Sequence, residues 1–132
     1  MTDPEHPNVV RIHEAYAAFG KGDLDRLREL FAEDVRWHEP GQNQLSGEFT
    51  GADEVFGMFG RLAAITEGTF RVEVRAAFAD DTDGVGVLRL TASRGDRALD
   101  VLTAHVFRFE DGRIAEFWEA NTDQAAMDAF YS

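Results

Sequence analysis

Residues 35–51 read VRWHEPGQNQLSGEFTG, and the first six of them decide how the rest of the chain is understood. A strand sends alternate side chains to opposite faces, so Val35, Trp37 and Glu39 share one face while Arg36 and His38 share the other. The two apolar neighbours aim the Glu39 carboxylate at the core. Pro40 has no N–H for a sheet ladder and biases Glu39 toward an extended backbone, so the strand is expected to end here with the acid at its mouth. Burial raises a carboxyl pKa, which makes Glu39 a candidate proton acceptor near neutral pH for chemistry next to a carbonyl.

Upstream of this strand the pattern is helical. Met1–Pro7 is a polar lead-in, and Asn8 is the expected cap of a helix to about Phe19, with Val9, Ile12, Tyr16 and Phe19 on one face. Gly20-Lys21-Gly22 ends it. Asp23 caps a second helix through Phe31, whose Leu24, Leu27, Leu30 and Phe31 form the apolar stripe. Downstream, Gln42, Asn43 and Gln44 lie in a loop that is either part of a lid or a solvated turn. Thr50–Asp53 has the form of a capping box with Asp in place of Glu, opening a helix to about Thr66. The apolar positions of that helix are Val55, Phe56, Phe59, Leu62 and Ala63, and Gly57 and Gly60 mark a close approach of the sheet.

From Gly68 the period becomes two. Phe70, Val72, Val74, Ala76 and Phe78 line one face of a strand, Asp80–Gly84 turns the chain, and Val85–Ser93 forms the next strand. Ala98–Glu110 follows, with Leu99, Val101, Thr103, His105, Phe107 and Phe109 on one face. Asp111-Gly112 makes a tight hairpin, Arg113 to about Asn121 is the last strand, and Asp123–Tyr131 is a short helical tail. Helices followed by a meander of long strands predict an α+β fold in which a strongly twisted sheet curls around a helix and leaves a cavity at its open end.

Composition excludes several classes of function. The 132 residues make one domain, residues 1–132, with 44% hydrophobic residues and eleven Phe to form a core. A formal charge of −12 repels phosphates, so neither nucleic acid nor an anionic membrane is an expected partner. There is no cysteine, hence no disulfide or thiol nucleophile. No leader or membrane-spanning run is visible, so the expected location is cytoplasmic. The four His show neither i,i+4 nor HExxH spacing, so no metal is expected, and the chain has no Gly-rich phosphate loop and no Gly-x-Ser-x-Gly elbow.

Few residues remain to carry chemistry. His105, alone with Thr103 as a polar side chain on its face, is either a core histidine satisfied by a hydrogen bond or a cavity residue facing a ligand. Tyr16 is either a core tyrosine or a hydroxyl reaching the pocket. Trp37, Phe56, Phe59, Phe107 and Phe117 are the expected walls. Glu119 and Asn121 share a face with Phe117 and read as solvated strand-end residues, with Asn121 retained as a substrate contact. His38 is expected on the outside of the sheet.

The order of elements, with GDLDRLRELFAEDVRWHEP, SGEFTGADEV and HVFRFEDGRIAEFWEA, resembles the nuclear transport factor 2-like superfamily, nearest its ketosteroid isomerase and SnoaL-like polyketide cyclase branches. The resemblance implies a cone-shaped, cystatin-like fold: three N-terminal helices packed on a strongly curved, mostly antiparallel sheet that encloses a pocket. It also implies a homodimer through the outer face of the sheet. The isomerases' proton-shuttling Asp before a Pro matches Glu39-Pro40. Their second acid is replaced by His105 in His105-Val106-Phe107-Arg108-Phe109, and their oxyanion tyrosine would fall at Ala15. Tyr16 is rotated by about 100° from that position along the helix.

The implied function is cofactor-independent acid/base chemistry, as an isomerase or cyclase, on a small hydrophobic carbonyl compound such as a steroid- or polyketide-like molecule. Glu39 would be the base and His105 would polarise the oxygen. The alternative is a small-molecule-binding protein without turnover. An epoxide hydrolase or dehydratase ranks below both, because no Arg-x-Asp occurs on the pocket-facing strand.

Overall fold

The computed structural model describes residues 6–132, so of the polar lead-in expected at the start, residues 1–5 lie outside the described residues. Helix α1 spans Pro7–Lys21. Its cap is His6, whose Nδ1 accepts from the Asn8 N–H at 3.0 Å. Asn8, expected as the cap, is instead buried in the first turn, where its amide donates to the carbonyls of Asp80 and Asp81 at 2.9 and 3.3 Å. The side chain that was to close the helix therefore pins it to a distant turn. The helix outruns its expected end by two residues and stops at Gly22, which adopts the left-handed conformation with φ 68°.

Helix α2 spans Leu24–Leu30 and is capped by Asp23, whose side chain accepts from the Arg26 N–H. Leu27 and Leu30 are buried, but Leu24 at its open end is exposed. Strand β1, Phe31–Glu39, starts four residues earlier than Val35. The loop after it contains an unforeseen short strand, β2, Gly47–Thr50, paired antiparallel with the end of β1.

Helix α3 spans Ala52–Ile65. Gly51 caps it without a side chain, and the reciprocal bond comes from Glu54, whose Oε1 accepts from the Thr50 N–H at 2.9 Å. Asp53 does not make that bond and pairs with Arg28 at 2.7 Å instead. Met58 takes the buried position assigned to Ala63, which is exposed. Gly57 and Gly60 face solvent with open space around them, so no sheet approaches there.

The meander follows as β3 Arg71–Ala79, β4 Asp83–Arg94, β5 Arg97–Glu110 and β6 Arg113–Asn121, closed by helix α4, Gln124–Phe130. In the sheet the order is β2-β1-β6-β5-β4-β3, and every neighbouring pair is antiparallel except β1 with β6. The inward face of β5 is as the alternation predicts, with Leu99, Val101, Thr103, His105, Phe107 and Phe109 all buried. On β3 a register shift between Val74 and Ala76 turns the later residues over. Phe78 therefore faces out, 51% exposed, and Ala77 and Ala79 take the inner side.

The concave side of the sheet wraps α1. Gly84 and Gly86 on β4 provide the room: a β-carbon at Gly84 would lie 3.0 Å from Ile12, and one at Gly86 would lie 3.5 Å from the Tyr16 hydroxyl. This close approach lowers Tyr16 into the bowl of the sheet. Among the described residues no helix is long and apolar enough to cross a membrane.

Candidate functional site

The parallel pairing of β1 and β6 sets Trp37 beside Phe117, with their rings stacked at 3.6 Å and 10° between planes. Two residues further along the same inner face come Glu39 and Glu119, side by side at the strand ends. Across the next pairing, His105 on β5 faces Glu119 on β6. That register depends on a bulge. Glu110 pairs with Arg113 and Phe109 with Ile114, but Arg108 pairs with Glu116, so Ala115 is an extra residue. The insertion turns Phe117 and Glu119 inward together with Ile114.

These groups form one hydrogen-bonded chain. Trp37 Nε1 donates to Glu39 Oε1 at 2.7 Å. The Glu39 and Glu119 carboxyls are near enough for each to perturb the other. Glu119 Oε1 lies 2.9 Å from His105 Nε2, and Glu119 Oε2 accepts from Asn121 Nδ2 at 3.0 Å. The other ring nitrogen, His105 Nδ1, is hydrogen-bonded to the Tyr16 hydroxyl.

Burial and neighbouring charge act differently on the two carboxyls. Burial, reinforced by the charge of Glu119, holds the Glu39 carboxyl well above the usual carboxylate range, and the Trp37 bond only partly offsets this. Burial pushes Glu119 the same way, but hydrogen bonds from His105, Asn121 and Glu39 outweigh it, so Glu119 lies below its ordinary value. The two carboxyls are thus pushed in opposite directions, Glu39 toward the neutral acid and Glu119 toward the carboxylate. An ionised Glu119 can only accept, which puts a proton on His105 Nε2. Tyr16 is raised well above its ordinary value by burial, then by Glu119 and Glu39, so its hydroxyl stays protonated and can donate to His105 Nδ1. Tyr131 is raised for the same reasons.

All five chain members, Glu39, Glu119, His105, Tyr16 and Trp37, line a single cavity of about 80 Å³. Phe59, Phe107 and Phe117 line it too, while the mouth is closed by Pro40, Asn43 and Leu45 from one side and Gln124, Met127 and Tyr131 from the other. Two expected wall residues are elsewhere. Phe56 lies under the Arg28 guanidinium, 5.1 Å from its ring centre, and Asn121 stands behind Glu119, holding that carboxylate from outside the cavity. His38 is on the outer face, between Glu116 at 2.7 Å and Glu48 at 3.0 Å and stacked on Trp118. Among the described residues no three His, Asp or Glu side chains are grouped to share a metal ion.

Of the two readings left open for Tyr16 the structure takes the pocket, and Glu119 departs from its reading. Tyr16 reaches the site although Ala15 occupies the position expected for a tyrosine: a helix cradled in a concave sheet presents more than one row of side chains to it, and both residues line the cavity. Glu119, read as solvated, is buried to 9% side-chain exposure beside His105. The sign that it belongs inside was its shared face with Phe117.

Comparison with known proteins agrees with this architecture. Residues 12–117 match the model of the SnoaL-like domain. An uncharacterized protein of Mycobacterium tuberculosis is 37% identical, with all of both chains aligned. The structure of Bal32a, from a soil-derived mobile gene cassette, superposes with a TM-score of 0.91 at 37% identity, over 96% of this chain and 97% of that one. A Xanthomonas campestris protein of unknown function with a cystatin-like fold gives 0.88 at 27%, over 95% and 98%. More distant structures, at 18 and 22% identity, include candidate polyketide cyclases and show the fold alone. With its bowl-shaped sheet, wrapped helix and acid-lined cavity, the chain belongs to the SnoaL-like family of the nuclear transport factor 2-like superfamily.

Proposed function

We propose that the protein is a cofactor-independent acid/base enzyme acting on a small hydrophobic carbonyl compound, with roles opposite to those the resemblance implies. Glu39, neutral because it is buried beside an ionised acid, donates a hydrogen bond or a proton to the substrate oxygen. His105, oriented by Glu119, is the base. It works through Tyr16, whose oxygen takes the proton next to the carbonyl as its own proton passes to Nδ1. The observation that carries this reading is the buried run Glu39–Glu119–His105–Tyr16, in which two carboxyls lie next to each other and both ends of the run face one apolar cavity.

The size of the cavity limits the substrate. Its ~80 Å³ is well below the roughly 300–1,000 Å³ of sites that enclose drug-sized molecules, so a one-ring or short-chain guest fits better than a steroid. The proposal includes a homodimer through the outer face of the sheet, supported by Leu102 and Trp118, which stay 40% and 37% exposed there.

Proton NMR in D₂O tests the chemistry directly. The wild-type protein is expected to wash deuterium into the α-position of small cyclic ketones that bind it, and Glu39→Gln and His105→Ala are each expected to slow this by about 100-fold or more. Exchange at the wild-type rate in both variants refutes the roles assigned. Guests that bind the wild-type protein without exchanging would identify a binding protein without turnover.

A further inference from the structure

The mouth of the cavity is closed by chain that is braced within itself and fastened to the C-terminal segment, chiefly at Asp128 and also by Gln44 Nε2 donating to the Tyr131 carbonyl at 3.0 Å. In residues 40–46, Asn43 N–H donates to Ser46 Oγ at 2.9 Å, Ser46 Oγ donates to the Pro40 carbonyl at 2.9 Å, and Leu45 N–H donates to Asn43 Oδ1 at 2.8 Å. The segment is thus a preformed flap, with Leu45 buried beneath it against the core. Left-handed or strained glycines stand at its ends, Gly41 at φ 86° and Gly47 at φ 140°.

The chief fastening is Asp128 on α4. Its Oδ1 accepts from the Gln42 N–H at 3.0 Å, from Asn43 Nδ2 at 2.8 Å and from Gln124 Nε2 at 3.0 Å. The same oxygen faces Gly41, where a β-carbon would collide with both the Asp128 carboxylate and the Gln124 amide. From Gln124 the bonding continues inward. Its Oε1 accepts from Asn121 Nδ2 at 2.9 Å, and the second proton of that nitrogen goes to Glu119 Oε2 at 3.0 Å. Asn121 Oδ1 is buried without a protein partner, so the Asn121 amide is held entirely through its nitrogen.

We infer that residues 41–46 are the door of the cavity and that Asp128 is a positioning residue. It latches the door and, through Gln124 and Asn121, ties its closure to the placement of the Glu119 carboxylate. A guest enters by breaking the bonds from Gln42 and Asn43 to Asp128 and from Gln44 to the Tyr131 carbonyl, which is a smaller disturbance than parting helix from sheet. The Asp128 oxygen that holds the door also accepts from Gln124 within α4, and Gln124 in turn steadies Asn121 behind Glu119. The door does not depend on the catalytic reading above, while the tie to Glu119 matters for turnover only if that reading holds.

The two tryptophans allow a test without a substrate. Trp37 lines the cavity and Trp118 lies outside, so in a Trp118→Phe background all indole fluorescence comes from the cavity wall. Acrylamide quenching of Trp37 is expected to rise about threefold or more on Asp128→Ala, and likewise on Gly41→Ala, which pushes the door from its other side. Asp128→Asn keeps an accepting oxygen and should fall between wild type and Asp128→Ala. Thermal melts in parallel show that each variant is folded at the temperature of quenching.

Wild-type quenching in folded Asp128→Ala and Gly41→Ala overturns the door. If turnover is found, Gln124→Leu is expected to lower kcat and to shift its pH profile, because the Glu119 carboxylate loses its support through Asn121. A Gln124→Leu enzyme with full kcat overturns the tie to Glu119 and leaves the door standing.

Discussion

Replacing Glu39 by glutamine is expected to stabilise the protein while disabling it, and the gain should grow with pH. The raised folded-state pKa means that the native state keeps a proton which the unfolded chain releases near the ordinary glutamate value of ~4.3. Between that value and the folded pKa, each pH unit favours the unfolded state by ~1.4 kcal/mol, so wild-type stability falls as pH rises through the window and levels off above it. The glutamine side chain of the Glu39→Gln variant does not titrate. It can also reproduce both bonds of the neutral acid, with its amide oxygen accepting from Trp37 Nε1 and its amide nitrogen donating to Glu119. For a domain of this length, 1 kcal/mol moves Tm by about 3–5 °C, so the variant should gain roughly 4–7 °C over wild type per pH unit across the window. Differential scanning calorimetry of both proteins from pH 5 to about pH 9 reads the gap. Parallel curves, or a variant that melts below wild type at the alkaline end, would mean that Glu39 is ionised in the folded state and that the proton assignment fails.

Three further outcomes follow from the same structure. If Glu39 is the acid, kcat should fall as pH rises through its elevated pKa, and a pH–rate profile that keeps rising through this range would count against the assignment. Tyr16→Phe leaves the buried His105 Nδ1 without its partner and should cost about 1–3 kcal/mol by urea denaturation, together with most of the activity. Gly57→Ala adds a β-carbon in open space on an exposed helix surface and should stabilise by about 0.5–1 kcal/mol, read as a higher urea midpoint at unchanged slope.

Much of the fold was legible because a strand with one buried face has a strict period. The inward row of β5, from Leu99 to Phe109, could be written down from alternation, and Asp111-Gly112 located its hairpin. Glu39 was legible for the same reason, as an acid in an apolar row ended by Pro40. Alternation failed where a bulge reset it. The shift in β3 sent Phe78 outward, and the extra Ala115 in β6 brought Glu119 opposite His105. Counting back from the hairpin without that residue would place Trp118 opposite His105. No local spacing announces such an insertion, because its cause lies in the packing of Ile114 and Phe117 into one core. The partnership of Glu39 with Glu119 was hidden for a related reason, since it comes from a strand pairing between distant parts of the chain. The cap of α1 was misread because Asn8 had a better use: a buried amide satisfied by two carbonyls of another turn outcompetes a local bond that His6 could supply.

The side-by-side run of β1 and β6 makes this cavity depend on the pairing in the sheet that spans the greatest length of chain. Every other junction in the sheet joins neighbours in the antiparallel sense, and β5 to β6 needs only a two-residue turn, whereas β1 must wait for a strand that begins seventy-odd residues further along. Until β6 slots in, Glu39 has no second acid beside it, less of the burial that raises its pKa and no ring of Phe117 against its Trp37. Acidity here is therefore conferred by assembly, and a molecule with the last strand detached should carry an ordinary glutamate in its place.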